Sequence, residues 1–176
     1  HLGLSVINAG DGGHAHPTQG LLDLYTMRNH FGNIAGLKVA IVGDILYSRV
    51  ARSNLWGLTR MGAHVVICAP PTLMPVDFTS GCHRSEGHPF SSVIVETSVD
   101  KAIQGADVVM PLRLQLERQE AGHLPTLREY SRTYGISARR LDLAKPGALV
   151  MHPGPMNEGV EIDSMVAHGV QSVIEE

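Results

Sequence analysis

Leu37-Lys38-Val39-Ala40-Ile41-Val42-Gly43-Asp44, closed by a turn and followed by the helical stretch Val50 to Met61, is the part of the sequence that decides the fold. Its β-branched run reads as a compact buried strand that stops at Gly43-Asp44. The next segment sets Ala51, Leu55 and Leu58 at helical spacing on one packing face. Strand, polar exit and amphipathic helix together make a βα unit.

The same alternation continues toward the C-terminus. His64 to Cys68 reads as a second strand, ended by Pro70-Pro71 and Pro75. Residues 77–90 lack periodicity and read as a loop. Ser92 to Val95 and Asp107 to Met110 are further strands, separated by a short helix over Asp100 to Ala106. Leu124 to Tyr130 and Ser137 to Leu143 read as short helices, and Ala148 to Met151 is a last strand running into His152-Pro153-Gly154-Pro155. Toward the N-terminus, Val6 to Ala9 reads as a strand leaving through the turn Gly10-Asp11-Gly12-Gly13. Pro17 opens a helix whose Leu21, Leu24, Tyr25 and Phe31 line one face before Gly32-Asn33 ends it. The expected fold class is α/β, a mostly parallel Rossmann-like sheet flanked by helices.

The 176 residues and their 43% apolar content suffice for one substantial core. Both ends read as cut through structure: His1 to Asn8 as an entry into a buried strand, Ile174-Glu175-Glu176 as the start of a new apolar element. Fourteen Lys+Arg against seventeen Asp+Glu, a formal charge of -3, leave no basic blanket for nucleic acid or a membrane surface. Cys68 and Cys82 lack paired ligand spacing and fit a reduced intracellular protein. The absence of an apolar stretch of spanning length or a basic-apolar-small leader points to a cytoplasmic location.

Parallel strands separated by helices bring their C-terminal ends to one rim, and the polar candidates lie at those exits. His16 and Gln19 stand i,i+3 at a helix start: the imidazole offers a donor or a positive charge, the amide both a donor and an acceptor. A capping histidine is the plainer reading of His16. Arg49 enters the second helix, where a guanidinium and exposed backbone donors both suit a carboxylate, with Arg52 nearly a turn later. Solvated or ion-paired arginines are the alternative. On an extended segment after the Asp107 strand, Arg113 and Gln115 face one side, while Arg118 adds a cation or pairs with Glu117 or Glu120. Pro153, Gly154 and Pro155 constrain a strand exit so that nearby carbonyls turn toward a substrate amine; a purely structural turn competes with that reading.

Other chemistries fit poorly. The histidines complete no zinc spacing and the acids no calcium loop, so no metal is expected. Gly10-x-Gly12-Gly13 is not a dinucleotide fingerprint, and neither a P-loop nor a nucleophile elbow occurs, so no cofactor is expected either.

Taken in order, Asn8-Ala9-Gly10-Asp11-Gly12, His16-Pro17-Thr18-Gln19, Gly43-Asp44, Ser48-Arg49-Val50-Ala51-Arg52-Ser53, Arg113-Leu114-Gln115-Leu116-Glu117-Arg118 and His152-Pro153-Gly154-Pro155 resemble the catalytic chain of the aspartate carbamoyltransferases across nearly the whole sequence. Thr18 looks more like the aspartate branch than the ornithine branch, where cysteine commonly stands, and the ornithine branch's His-Cys-Leu-Pro segment is absent.

The resemblance implies carbamoyl transfer from carbamoyl phosphate to L-aspartate in pyrimidine biosynthesis. It implies that His16 polarises the carbamoyl carbonyl and Gln19 orients the carbamoyl group. Arg49, Arg113 and Gln115 recognise aspartate, the carbonyls around Pro153 and Gly154 place the carbamoyl amide, and Arg52, Arg118 and Pro155 support them.

The family's phosphate-binding Ser-Thr-Arg-Thr stretch, a further upstream arginine and the neighbouring subunit's lysine are missing, and Glu158 stands where many relatives carry arginine. The resemblance therefore implies a fragment of a two-domain transcarbamylase fold. Residues 1–34 are the end of the carbamoyl-phosphate domain and the interdomain helix, and 35–176 an aspartate-binding α/β domain that is C-terminally incomplete. Expected partners are the missing N-terminal domain, sister copies in a catalytic homotrimer, and a regulatory or dihydroorotase-type chain, with the isolated fragment inactive. The competing readings are a noncatalytic dicarboxylate-binding or interaction domain and an ornithine carbamoyltransferase.

Overall fold

The computed structural model describes residues 5–115 and 126–174. Five strands form one wholly parallel sheet: β1 (Lys38–Val42), β2 (His64–Cys68), β3 (Ile94–Glu96), β4 (Val108–Pro111) and β5 (Leu149–Val150), in the spatial order β3-β2-β1-β4-β5. The chain builds outward from β1 to β3, then returns to add β4 on the other side of β1. The loops leaving β1 and β4 therefore diverge, which opens the crevice where α/β sheets bind ligands.

Among the described residues seven α-helical segments accompany the sheet: α1 (Pro17–Phe31), α2 (Arg49–Arg60), α3 (Val76–Thr79), α4 (Val99–Ile103), α5 (Leu127–Tyr134), α6 (Ala138–Leu141) and α7 (Ser164–Ala167). Successive strand residues point to opposite faces, so β1 feeds two cores. Val39 and Ile41 join Met27, Ala51, Leu55 and Leu58 beneath α1 and α2, whereas Ala40 and Val42 join Ala102, Ile103, Leu141 and Val166 beneath α4, α6 and α7. Truncating a leucine such as Leu55 or Leu58 to alanine in this packing costs about 2–5 kcal/mol.

The βα unit forms as the pattern predicts, with Ala51, Leu55 and Leu58 buried and Ser48 Oγ capping α2 by accepting from Ala51 N at 3.1 Å. The strand expected over Val6 to Ala9 does not form: Val6 and Ile7 are exposed, and neither edge strand of the sheet pairs with that segment. The expected face of α1 also needs correction. Leu24 and Phe31 pack on the core, but Leu21 and Tyr25 are exposed, and the deeply buried positions are Gly20, Asp23 and Met27. Close approach to α2 decides this: a Cβ on Gly57 would come within 2.6 Å of Leu24 Cδ1, so the two helices meet along small residues.

Residues 77–90 are less irregular than expected. They contain part of α3 and a 3-10 turn at Cys82–Arg84, and they bury His83 against Phe78. The strand expected over Ser92 to Val95 shifts to β3, and the helices expected over Leu124 to Tyr130 and Ser137 to Leu143 form as α5 and α6. Leu124, like Arg118, lies outside the described residues. Among the described residues no helix is long and apolar enough to cross a membrane.

Candidate active site

His16 is the N-cap of α1: its Nδ1 accepts the Gln19 backbone N–H at 3.3 Å, with Thr18 Oγ1 at the same distance, and its own N–H donates to Ser53 Oγ on α2 at 2.9 Å. A ring nitrogen that accepts a backbone N–H carries no proton. The neutral imidazole is therefore the Nε2–H tautomer, with that donor left for a ligand oxygen. The capping alternative and the ligand role are thus compatible, since they use different nitrogens.

Gln19 points its Nε2 at Asp23 Oδ1, 2.9 Å away, and Asn54 Nδ2 meets Asp23 Oδ2 at 2.6 Å. Asp23 is 4% exposed. Burial raises its carboxyl above the ordinary value, opposed by the hydrogen bonds from Asn54 and Gln19.

Arg49 begins α2 and donates from Nη1 to Gly12 O at 3.4 Å. Arg52 is committed differently: Nη1 donates to Gly13 O at 2.8 Å and Nη2 to Leu46 O at 2.7 Å, so it straps the glycine turn to the loop after β1. The buried Asp44 ties the two diverging loops together, accepting Tyr47 N on Oδ1 at 3.0 Å and Gln115 N on Oδ2 at 3.3 Å. Beyond β5 the Gly154-Pro155 bond is cis. His152 anchors the turn from below, accepting Gly154 N on Nδ1 at 2.9 Å with Nε2 3.3 Å from Glu161 Oε1, which also accepts Asn157 N at 2.6 Å.

These elements enclose a cavity of about 170 Å³ lined by His16, Gln19, Ser48, Arg49, Val50, Arg113, Gln115, Pro153, Gly154 and Pro155. Every principal candidate from the sequence meets there, from four separate loops. Arg52 does not line it, and Arg118 lies outside the described residues. A larger cleft of about 730 Å³ beside Thr126, Arg128, Glu129, Arg132 and Thr133 gathers none of these candidates. Among the described residues no three His, Cys, Asp or Glu side chains cluster as a metal ion would need.

Sequence reasoning missed Asp23, Asn54 and Glu161. For Asp23 a signal existed: an acid four residues after Gln19, set among Leu21, Leu22 and Leu24, is out of place on an apolar helix unless something engages it.

Residues 35–176 match the Asp/Orn binding domain of the aspartate/ornithine carbamoyltransferases. The chain belongs to this family. Among its curated relatives, the aspartate carbamoyltransferase catalytic subunit of Roseiflexus sp. (strain RS-1) is 61% identical over 173 residues, covering 98% of this chain and 52% of the relative. The corresponding subunit of Geobacter sulfurreducens is 59% identical over 170 residues, covering 97% and 52%. The chain thus spans about half the length of the relatives it matches.

Solved structures agree on the fold. Trypanosoma cruzi aspartate transcarbamoylase in complex with N-(phosphonacetyl)-L-aspartic acid superposes with a TM-score of 0.76 at 31% identity, covering 95% of this chain and 52% of that one. Ornithine carbamoyltransferase from Gloeobacter violaceus gives 0.77 at 30% identity, covering 98% and 56%. The structural likeness spans both branches, whereas these curated sequence relatives are aspartate enzymes.

Proposed function

We propose that this chain is the aspartate-binding part of an aspartate carbamoyltransferase, which transfers the carbamoyl group of carbamoyl phosphate to the amino group of L-aspartate. The observation that carries the reading is the joint lining of one small cavity by His16, Gln19, Arg49, Arg113, Gln115 and the Pro153-Gly154-Pro155 turn. Two guanidiniums suit a ligand with two carboxylates, and a cationic ornithine side chain would meet the same arginines unfavourably.

The chemistry follows from the donors. The neutral amine nitrogen attacks the carbamoyl carbon, a C–N bond forms, the C–O bond to phosphate breaks, and the amine proton leaves with the phosphate. His16 Nε2–H stabilises charge developing on the carbonyl oxygen, Gln19 and the carbonyls around Pro153 and Gly154 fix the carbamoyl NH2, and Arg49, Arg113 and Gln115 hold aspartate. No protein nucleophile is required.

On this reading residues 1–34 carry the end of a carbamoyl-phosphate domain and the helix joining it to residues 35–176, and a second domain supplies the phosphate clamp that the sequence lacks. A cytoplasmic catalytic trimer serving pyrimidine biosynthesis, alone or with a regulatory or dihydroorotase-type chain, is the matching assembly. The test has two arms. Calorimetry on the 176-residue chain is expected to register aspartate or succinate and not ornithine. Production of radiolabelled carbamoyl-aspartate is expected only when the missing domain is supplied, and to be lost in His16→Ala. Dicarboxylate binding without any transfer in the completed protein would identify a dedicated binder instead.

A further inference from the structure

We propose that Asp23 is a positioning residue that sets which end of the Gln19 amide faces the substrate, an inference that rests on the carbamoyltransferase reading. A carboxylate has only acceptors, so an amide laid against it must present nitrogen. Gln19 Nε2 donates to Asp23 Oδ1 at 2.9 Å, one helical turn along α1, which leaves Gln19 Oε1 as the end available to the cavity that Gln19 lines.

The distinction matters because a carbamoyl group is planar, with an oxygen at one end and NH2 at the other. His16 supplies a donor for the oxygen. The NH2 then needs acceptors, and Gln19 Oε1 is one only while the amide is held this way round. An unassisted glutamine has nearly isosteric flips and would offer NH2 to NH2 part of the time.

Asp23 is itself fixed from α2. Asn54 Nδ2 donates to Asp23 Oδ2 at 2.6 Å and lies 3.6 Å from Met110 Sδ on β4, so the carboxylate is held between α1, α2 and the sheet. Asn54 Oδ1 is buried and has no hydrogen-bond partner. That unused acceptor defines a conservative rescue. In Asp23→Asn the new amide oxygen keeps the bond from Gln19 Nε2, and its nitrogen donates to Asn54 Oδ1 once the Asn54 amide turns over. Asp23→Leu keeps the bulk but orphans Gln19 Nε2.

A double-mutant cycle in the whole catalytic chain carrying this segment tests the assignment, with Asp23→Ser replacing Asp23→Leu should the latter not fold. Asp23→Leu is expected to lower kcat/KM for carbamoyl phosphate on the order of 10- to 100-fold, and Gln19→Ala by a similar factor. The double variant should be no worse than Gln19→Ala alone, and Asp23→Asn should stay within about threefold of wild type. Losses that multiply in the double variant, or an Asp23→Asn enzyme as impaired as Asp23→Leu, overturn the positioning role while leaving an active wild type and its function intact. A wild-type enzyme that makes no carbamoyl-aspartate overturns the underlying reading and the proposal with it.

Discussion

Asp44 and Gln115, 71 residues apart in sequence, are joined by a 3.3 Å hydrogen bond from the Gln115 backbone N–H to Asp44 Oδ2. Val42 and Pro111 are register partners at the ends of β1 and β4, so this bond sits just past the last rung of the sheet. It holds the loop carrying Arg113 against the loop leading to Arg49. Asp44→Ala removes the acceptors for both Tyr47 N and Gln115 N in a fully buried position. The expected loss is about 2–3 kcal/mol in a denaturant titration, with weakened aspartate binding by calorimetry. Unchanged binding would mean that the two loops hold their places without it.

Gly43 cannot carry a side chain without strain. Its φ is 124°, and a Cβ there would lie 2.9 Å from Tyr130 Oη and 3.2 Å from the Leu112 carbonyl oxygen. Gly43→Ala is expected to destabilise by about 1–3 kcal/mol. Adding Tyr130→Phe should restore part of that loss, because it removes one of the two clashing atoms. Additive effects in the chemical unfolding cycle would contradict the contact.

Tyr130 also gives the protein an alkaline weakness. Its hydroxyl is buried without a hydrogen-bond partner, and burial, then the nearby Glu161 and Asp44 carboxylates, hold its pKa well above the ordinary 10.0. Well below pH 10 this group is protonated in both the folded and the unfolded chain and contributes nothing to the pH dependence. Above it the unfolded chain releases the proton while the folded one retains it, so stability falls as pH rises. Tyr130→Phe should flatten that fall between pH 9 and pH 11, read as the urea midpoint at each pH, and should not weaken the protein at pH 7.

The two cysteines should separate cleanly under alkylation. Cys68 is buried in β2, and burial pushes its thiol up to about 12, whereas Cys82 is exposed. Iodoacetamide at pH 8 is expected to modify one thiol per folded chain and two in guanidinium, counted by mass spectrometry, because the thiolate is the reacting form. Two adducts on the folded chain would place Cys68 outside the core.

Glu158 takes part in a local cluster. It accepts Ser164 Oγ at 2.6 Å and lies 3.2 Å from His168 Nε2, and the Ser164 bond, followed by His168, holds its carboxyl below the ordinary 4.5. A depressed carboxyl contributes stability above its unfolded pKa that is lost as pH falls. Glu158→Gln should therefore narrow the difference in melting temperature between pH 7 and pH 3. An unchanged difference would show that the exposed cluster is too well solvated to matter.

Much of the fold was legible because periodicity reports burial directly. The run Val39 to Val42 is apolar on both faces and therefore lies between two helical layers; Ala51, Leu55 and Leu58 keep a 3.6-residue rhythm because one side of α2 meets the sheet. Val6 to Ala9 misled because a β-like composition forms a strand only where it pairs with a neighbouring edge, and neither edge strand of the sheet, β3 or β5, pairs with it. Leu21 and Tyr25 misled because apolar spacing fits more than one helix face, and the close contact at Gly57 chose the face bearing Asp23 and Met27.

By itself the sequence determined the parallel α/β order, the helix-start placement of His16 and Arg49, and residue types suited to a small anionic ligand, since each depends on neighbours a few positions away. Only the tertiary structure decided that three strand exits and the start of α1 converge on one cavity, that Arg52 binds loop carbonyls instead of lining it, and that Asp23 holds Gln19 through its nitrogen. Those outcomes turn on strand order and on contacts between α1 and α2. Residues as distant as Asp23 and Asn54 become partners only when the sheet brings their helices together.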